Sequence, residues 1–154
     1  MTTVFVFNGP NLNLLGVRKP EVYGRTVLPD VEALCREAAT GHGLSLDFRQ
    51  TNHEGVLVDW IHEAGAAVKR GDALGAVLNA AAYTHTSVAL HDAIEGAELP
   101  TIEVHISNVH GRETFRHHSY VSPVAAGIVV GFGVDGYPLA IDGLVRKTRP
   151  LRSV

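Results

Sequence analysis

Glu103, His105 and Ser107 fall at alternate positions near the end of an apolar run. A strand points alternate side chains to one face, so a carboxylate stands beside an imidazole there. That neighbour orients the ring and favours its cationic form, which suits a general acid. Ser107 and Asn108 follow where the strand frays, and backbone N–H groups freed at that point can hold an anion. Arg112, Arg116, His117 and His118 come next in an irregular stretch, and a guanidinium such as Arg116 can clamp a carboxylate or hydroxyl. A lone strand histidine is more often structural. Three polar groups at one strand's carboxyl end favour function.

Asn11, Asn13, Arg18 and Tyr23 lie among glycines and prolines in a stretch of about 20 residues, Asn8 to Val27. Connections in α/β units usually run about 2–6 residues, and much longer ones are often lids or binding loops. A guanidinium near a phenol favours the phenolate, and a tyrosine so activated can act as a general base. Asn79 closes another apolar run, where an amide can orient a polar ligand. His85 and Asp92 are spaced to share one helical face, roughly opposite Leu90 and Ile94. They read either as surface residues or as a site wall or subunit contact.

The elements that position these groups alternate. Strands are expected at Thr3–Phe7, Leu44–Arg49, Ala73–Leu78, Pro100–Ile106 and Ala126–Val130. Apolar stripes at helical spacing run through Val31, Leu34, Cys35 and Ala38, through Leu57, Trp60, Ile61, Ala64 and Val68, through Leu90, Ala93, Ile94 and Ala97, and through Ala140, Ile141, Leu144 and Val145. Near-continuous apolar strands alternating with helices predict a flavodoxin-like, doubly wound α/β fold. Its five-stranded parallel sheet is expected in the order 2-1-3-4-5, with helices on both faces. Ligands bind such sheets beyond the strands' carboxyl ends, near the switch point. The loops after strands one, three and four are therefore the ones expected to carry the site.

Composition narrows the classes. The 154 residues fit a single domain, 1–154, and 45% hydrophobic against 19% charged is globular. A net charge of −3 gives no drive toward nucleic acid or an anionic membrane surface. Cys35 is the single cysteine, expected in the core, so no internal disulfide or cysteine-based metal cluster forms. No signal pattern or long apolar run is visible, so a soluble, reducing, cytoplasmic setting is expected. Gly131-Phe132-Gly133-Val134-Asp135-Gly136 has dinucleotide-binding spacing, but no later strand follows to supply a ribose-binding acid; close strand–helix packing explains its glycines better. Nine histidines, including His105, His110, His117 and His118, invite a metal reading, yet no metal-ligand motif is present. No cofactor is expected.

Phe7-Asn8-Gly9-Pro10-Asn11-Leu12-Asn13-Leu14-Leu15-Gly16, followed by Arg18-Lys19-Pro20 and Tyr23-Gly24, strongly resembles the type II 3-dehydroquinate dehydratases. So do Asp59-Trp60-Ile61-His62-Glu63-Ala64, Tyr83-Thr84-His85-Thr86-Ser87, Glu103-Val104-His105-Ile106-Ser107-Asn108 and Phe115-Arg116-His117-His118-Ser119-Tyr120. The blocks stand in family order and span nearly the whole chain. The resemblance implies dehydration of 3-dehydroquinate to 3-dehydroshikimate by anti elimination through an enolate, without a Schiff base. The same chemistry serves the shikimate pathway and quinate breakdown.

By the same resemblance, Tyr23 is the base, with Arg18 lowering its pKa and closing over the substrate. Asn11 holds the water that stabilises the enolate oxygen. His105 protonates the departing hydroxyl, oriented by Glu103. Asn79, Ile106 and Ser107 bind the substrate, and His85 and Arg116 bind its hydroxyl-bearing side. Asp92 reaches a neighbouring subunit's site in a homo-oligomer, a dodecamer of four trimers. Three positions depart from the family pattern. Ala80-Ala81 stands where Pro-Gly is usual, and His53 where glutamine is expected. The first departure motivates a rival reading as a catalytically weak, ligand-binding relative; a flavin-binding module on the same fold is a second rival.

Overall fold

The computed structural model describes residues 1–17 and 19–149, except for the side chains of Val22 and Tyr23. Five parallel strands form one sheet: β1 (Thr3–Asn8), β2 (Ser45–Gln50), β3 (Ala73–Asn79), β4 (Thr101–His105) and β5 (Gly127–Val130). Their order is β2-β1-β3-β4-β5, as the alternation of elements predicts. The helices are α1 (Pro20–Tyr23), α2 (Leu28–Gly41), α3 (Glu54–Lys69), α4 (Val88–Ala97) and α5 (Gly136–Thr148).

Alternation along β1 builds both sides of the sheet. Val4 and Val6 join a core with Val31, Cys35 and Ala39 of α2 and with Tyr137, Ile141 and Leu144 of α5. Phe5 and Phe7 join a second core with Leu57 and Ile61 of α3 and with Leu90 and Ile94 of α4. Each fully buried Leu, Ile, Val or Phe contributes roughly 1.5–3 kcal/mol, so the 3.6-residue stripes and the period-two strands decide the layers together. Cys35 is fully buried, and burial followed by the Glu32 charge pushes its thiol up to about 12. It is an unreactive packing residue, as its place on the apolar stripe predicts.

Register places the chemistry along one edge. Asn8 at the end of β1 pairs with Gln50 and with Asn79, and His105 at the end of β4 pairs with Val130. The β1 and β3 exits flank the switch point, where the chain changes sides of the sheet.

Two local readings are refined. The spacing of His85 and Asp92 is not a spacing along one helix. His85 ends a separate 3-10 turn, Ala81–His85, and Ser87 caps α4 by accepting a hydrogen bond from Leu90 N–H at 2.9 Å. A serine N-cap satisfies an otherwise unpartnered helix donor, so α4 starts there. The long segment after β1 is also more ordered than its turn residues suggest, containing the 3-10 turn Leu12–Leu14 and α1. The glycine motif before α5 packs as expected, because a Cβ at Gly136 would stand 3.1 Å from Val104 Cγ2.

Candidate active site

One cavity at the carboxyl edge is lined by Asn11, Asn79, His85, His105, Ile106, Ser107 and Arg116. Seven sequence-predicted residues, drawn from three loops and two strand ends, therefore meet in one place. Leu12, Leu14 and Leu15 add an apolar wall from the turn after β1, and Arg112 adds a second guanidinium. Arg112 was not among the predicted site residues. It stands in an irregular stretch without periodicity, and its Nη1 donates to Ser107 Oγ at 3.4 Å.

Glu103 sits one layer behind the cavity. Period two along β4 puts it beside His105, whose Nε2 donates to Glu103 Oε2 at 2.5 Å. The carboxylate also accepts from Thr84 Oγ1 at 3.0 Å, Ser119 Oγ at 2.7 Å and the hydroxyl of Ser122. Burial alone would raise the Glu103 pKa. The hydrogen bond and charge of His105, with the Ser122 and Ser119 hydroxyls, outweigh burial and hold it at about 2. Glu103 is thus a carboxylate throughout the neutral range and a constant acceptor for His105 Nε2–H. That fixes the imidazole and leaves Nδ1 to a group in the cavity. Period two identifies the Glu103–His105 pair in the sequence, whereas Thr84, Ser119 and Ser122 come from distant segments and carry no comparable signal.

His85 stacks near His105, with ring centroids 6.4 Å apart. Its Nδ1 lies 2.8 Å from the His118 carbonyl, which can only accept, so Nδ1 carries the proton. Burial lowers the His85 pKa, opposed by this hydrogen bond, and the charges of His105 and Arg116 lower it further. A neutral ring protonated at Nδ1 presents Nε2 as an acceptor, suited to a ligand hydroxyl. Arg116 is steadied by Glu113, whose carboxylate accepts from its Nε at 2.7 Å.

Asn11 is exposed at the cavity rim with φ +68°, a conformation asparagine tolerates better than most residues. Its N–H donates to Asn52 Oδ1 at 3.0 Å, which ties the first loop to the loop after β2. Arg18 lies outside the described residues, as does the side chain of Tyr23; the Tyr23 backbone closes α1. Asp92 is exposed on α4 and does not line the cavity. Among the described residues, no group of three or more His, Cys, Asp or Glu side chains is placed to hold a metal ion.

The Ala80-Ala81 departure preserves the backbone. Ala80 has φ −74°, close to the value a proline ring imposes, and Ala81 has φ +51°, the region glycine favours. Ala81 N–H donates to Asn79 Oδ1 at 3.1 Å, so this turn holds the Asn79 amide. Gly9 packs against the same turn, since a Cβ there would stand 2.6 Å from the Ala80 carbonyl oxygen. A non-glycine residue at positive φ costs roughly 1–2 kcal/mol. Greater chain freedom in the unfolded state offsets about 0.4–1 kcal/mol of the relief that glycine brings. Ala81→Gly is therefore expected to stay within about 1 kcal/mol of the parent, and Ala81→Val, β-branched at positive φ, to lose more than about 2 kcal/mol. Urea denaturation of both variants checks this, and equal stability for the two would contradict it.

Fold and site together define a flavodoxin-like protein with a histidine–carboxylate pair opening onto a cavity at the sheet's carboxyl edge. Residues 2–145 match the family model described as dehydroquinase class II. The chain is 66% identical over 149 residues to a 3-dehydroquinate dehydratase of Marinomonas sp., covering 97% of this chain and 99% of that one. It is also 66% identical over 145 residues to the 3-dehydroquinate dehydratase of Variovorax paradoxus, covering 94% and 99%. The crystal structure of a type II dehydroquinase from Butyrivibrio crossotus superimposes with a TM-score of 0.87 at 41% identity, covering 93% of this chain and 97% of that one. The chain belongs to the class II dehydroquinase family.

Proposed function

We infer that this protein dehydrates 3-dehydroquinate to 3-dehydroshikimate, the dehydration step of the shikimate pathway. The observation that carries this reading is the Glu103–His105 pair facing a cavity that also holds Asn79, His85, Ser107 and Arg116, in a chain matched to this family over residues 2–145. A proton next to a ketone is weakly acidic, so its removal needs a base and a stabilised oxyanion. Tyr23, activated by Arg18, takes that proton. A water held at Asn11 stabilises the enolate oxygen. The enolate electrons then re-form the ketone as the double bond closes and the carbon–hydroxyl bond breaks. His105 gives its proton to the departing hydroxyl, which leaves as water, and Glu103 holds the imidazolium in place. Asn79, Ser107 and the Ile106 backbone bind the substrate, while His85 and Arg116 take its hydroxyl-bearing side.

The test is to mix the protein with 3-dehydroquinate and follow the ultraviolet absorbance of the conjugated product, with a borohydride-treated sample alongside. Product from both is expected, because no lysine is among the described residues that line the cavity. Product abolished by borohydride would replace this mechanism with a Schiff-base one, and no product would overturn the assignment. The retained Ala80-Ala81 geometry gives no support to a binding-only protein.

Asp92 and the assembly belong to the same proposal. An exposed carboxylate on α4, away from its own cavity, suits contact with a neighbouring subunit's site in a dodecamer of four trimers. Sedimentation showing only monomers, or an unchanged substrate KM in Asp92→Ala, would remove it.

A further inference from the structure

Beneath the cavity runs a chain of buried polar groups of which only Asn79 reaches the cavity itself. Asn8 Nδ2 donates to the Arg49 carbonyl at 3.0 Å. The Tyr137 hydroxyl donates to Asn8 Oδ1 at 2.7 Å. Asn79 Nδ2 donates to the Tyr137 oxygen at 2.9 Å, and Asn79 Oδ1 accepts from Ala81 N–H at 3.1 Å. Tyr137 and Asn8 are fully buried, and Asn79 is 3% exposed. Burial raises the Tyr137 pKa, so the phenol keeps its single proton at neutral pH.

The polarity of this chain is fixed from both ends. A backbone carbonyl only accepts and a backbone N–H only donates. The Arg49 carbonyl therefore sets the Asn8 amide, Asn8 sets the Tyr137 hydroxyl, and Tyr137 together with Ala81 sets the Asn79 amide. Among the described residues, the second N–H of Asn79 has no partner, and the residue lines the cavity. This corner of the site can then donate but not accept.

We propose that Tyr137 is a positioning residue for substrate binding: by accepting from Asn79 Nδ2 it locks that amide with its remaining N–H toward the cavity, making the site selective for an acceptor such as the substrate carboxylate. The inference deepens the dehydratase reading and rests on it. Tyr137 is fully buried and does not line the cavity. It acts across 58 positions of sequence, from α5 to the end of β3.

The test is a double-mutant cycle on the purified protein. Tyr137→Phe keeps the buried ring and removes only the hydroxyl. It is expected to raise KM for 3-dehydroquinate about tenfold, the effect of losing one well-placed hydrogen bond to a charged group, while kcat changes less than about threefold. Affinity for quinate, which lacks the ketone and cannot eliminate, should fall by the same factor. In an Asn79→Ala background Tyr137→Phe should leave KM unchanged, because its effect runs through the missing amide. Equal effects in both backgrounds, or a lower melting temperature with KM intact, would reduce Tyr137 to a packing residue. If Tyr137→Phe does not fold, Asn8→Ala removes the acceptor of Tyr137 and must raise KM in the same direction; an unchanged KM there overturns the proposal. A parent protein that binds quinate without turning over 3-dehydroquinate would fail the dehydratase reading alone, and the quinate arm of the cycle would still decide the role of Tyr137.

Discussion

His105→Gln is expected to lower kcat by roughly 10²–10⁴-fold, the usual contribution of a positioned general acid, with KM changed only a few-fold. Glutamine keeps an N–H donor for Glu103, so this variant separates the chemistry from the fold. His105→Ala removes that donor too. It leaves a buried carboxylate with three hydroxyl partners and no imidazole. Breaking a buried pair in this way costs about 3–5 kcal/mol. The pH dependence has a definite sign. In the parent, the Glu103 pKa lies at about 2, below its ordinary value of 4.5. The stability it contributes is therefore present above pH 4.5 and is lost as the pH falls toward 2. Without His105, burial is no longer outweighed and the carboxyl pKa rises. The deficit of His105→Ala should then be larger at pH 7 than at pH 4. Denaturation at the two pH values reads this. A deficit independent of pH would mean that Glu103 is not held by His105, and near-parental turnover in His105→Gln would remove His105 as the acid.

Tyr23→Phe is expected to abolish most turnover, again by roughly 10²–10⁴-fold, and to leave quinate affinity within about threefold. Only the phenolic oxygen is lost. The cavity groups that hold the ligand, Asn79, Ser107, His85 and Arg116, come from other loops and stay in place. The proposed acid and base stand on separate segments, β4 and the α1 turn, so the one can be removed without disturbing the other. Single-turnover kinetics distinguish loss of proton abstraction from loss of binding. Near-normal rates in Tyr23→Phe would reassign the base.

Much of the fold was legible because its determinants are local and repetitive. Period two in β1 and β4 and the 3.6-residue stripes of α2 to α5 each report which face a segment buries. That information suffices for alternating elements with helices on both sides, and the sheet adopts the predicted order. It also suffices for Glu103 and His105, whose alignment is a property of one strand. The spacing of His85 and Asp92 fits one helical period, but the Ser87 cap decides where α4 starts and leaves His85 outside it.

Layers, strand order and the residue types that gather at the carboxyl edge follow from periodicity and motif order, which are written along the chain. Tertiary structure alone decided the partners of the buried polar groups. Thr84, Ser119 and Ser122 close around Glu103 from separate segments, and Tyr137 joins Asn8 to Asn79 from the far end of the chain. It also decided that Ala80 and Ala81 retain a turn that suits proline and glycine. The physical reason is that hydrophobic burial is non-directional and can be read from spacing, whereas a hydrogen bond requires two particular atoms within about 3 Å, and only the packed chain brings atoms from distant positions that close.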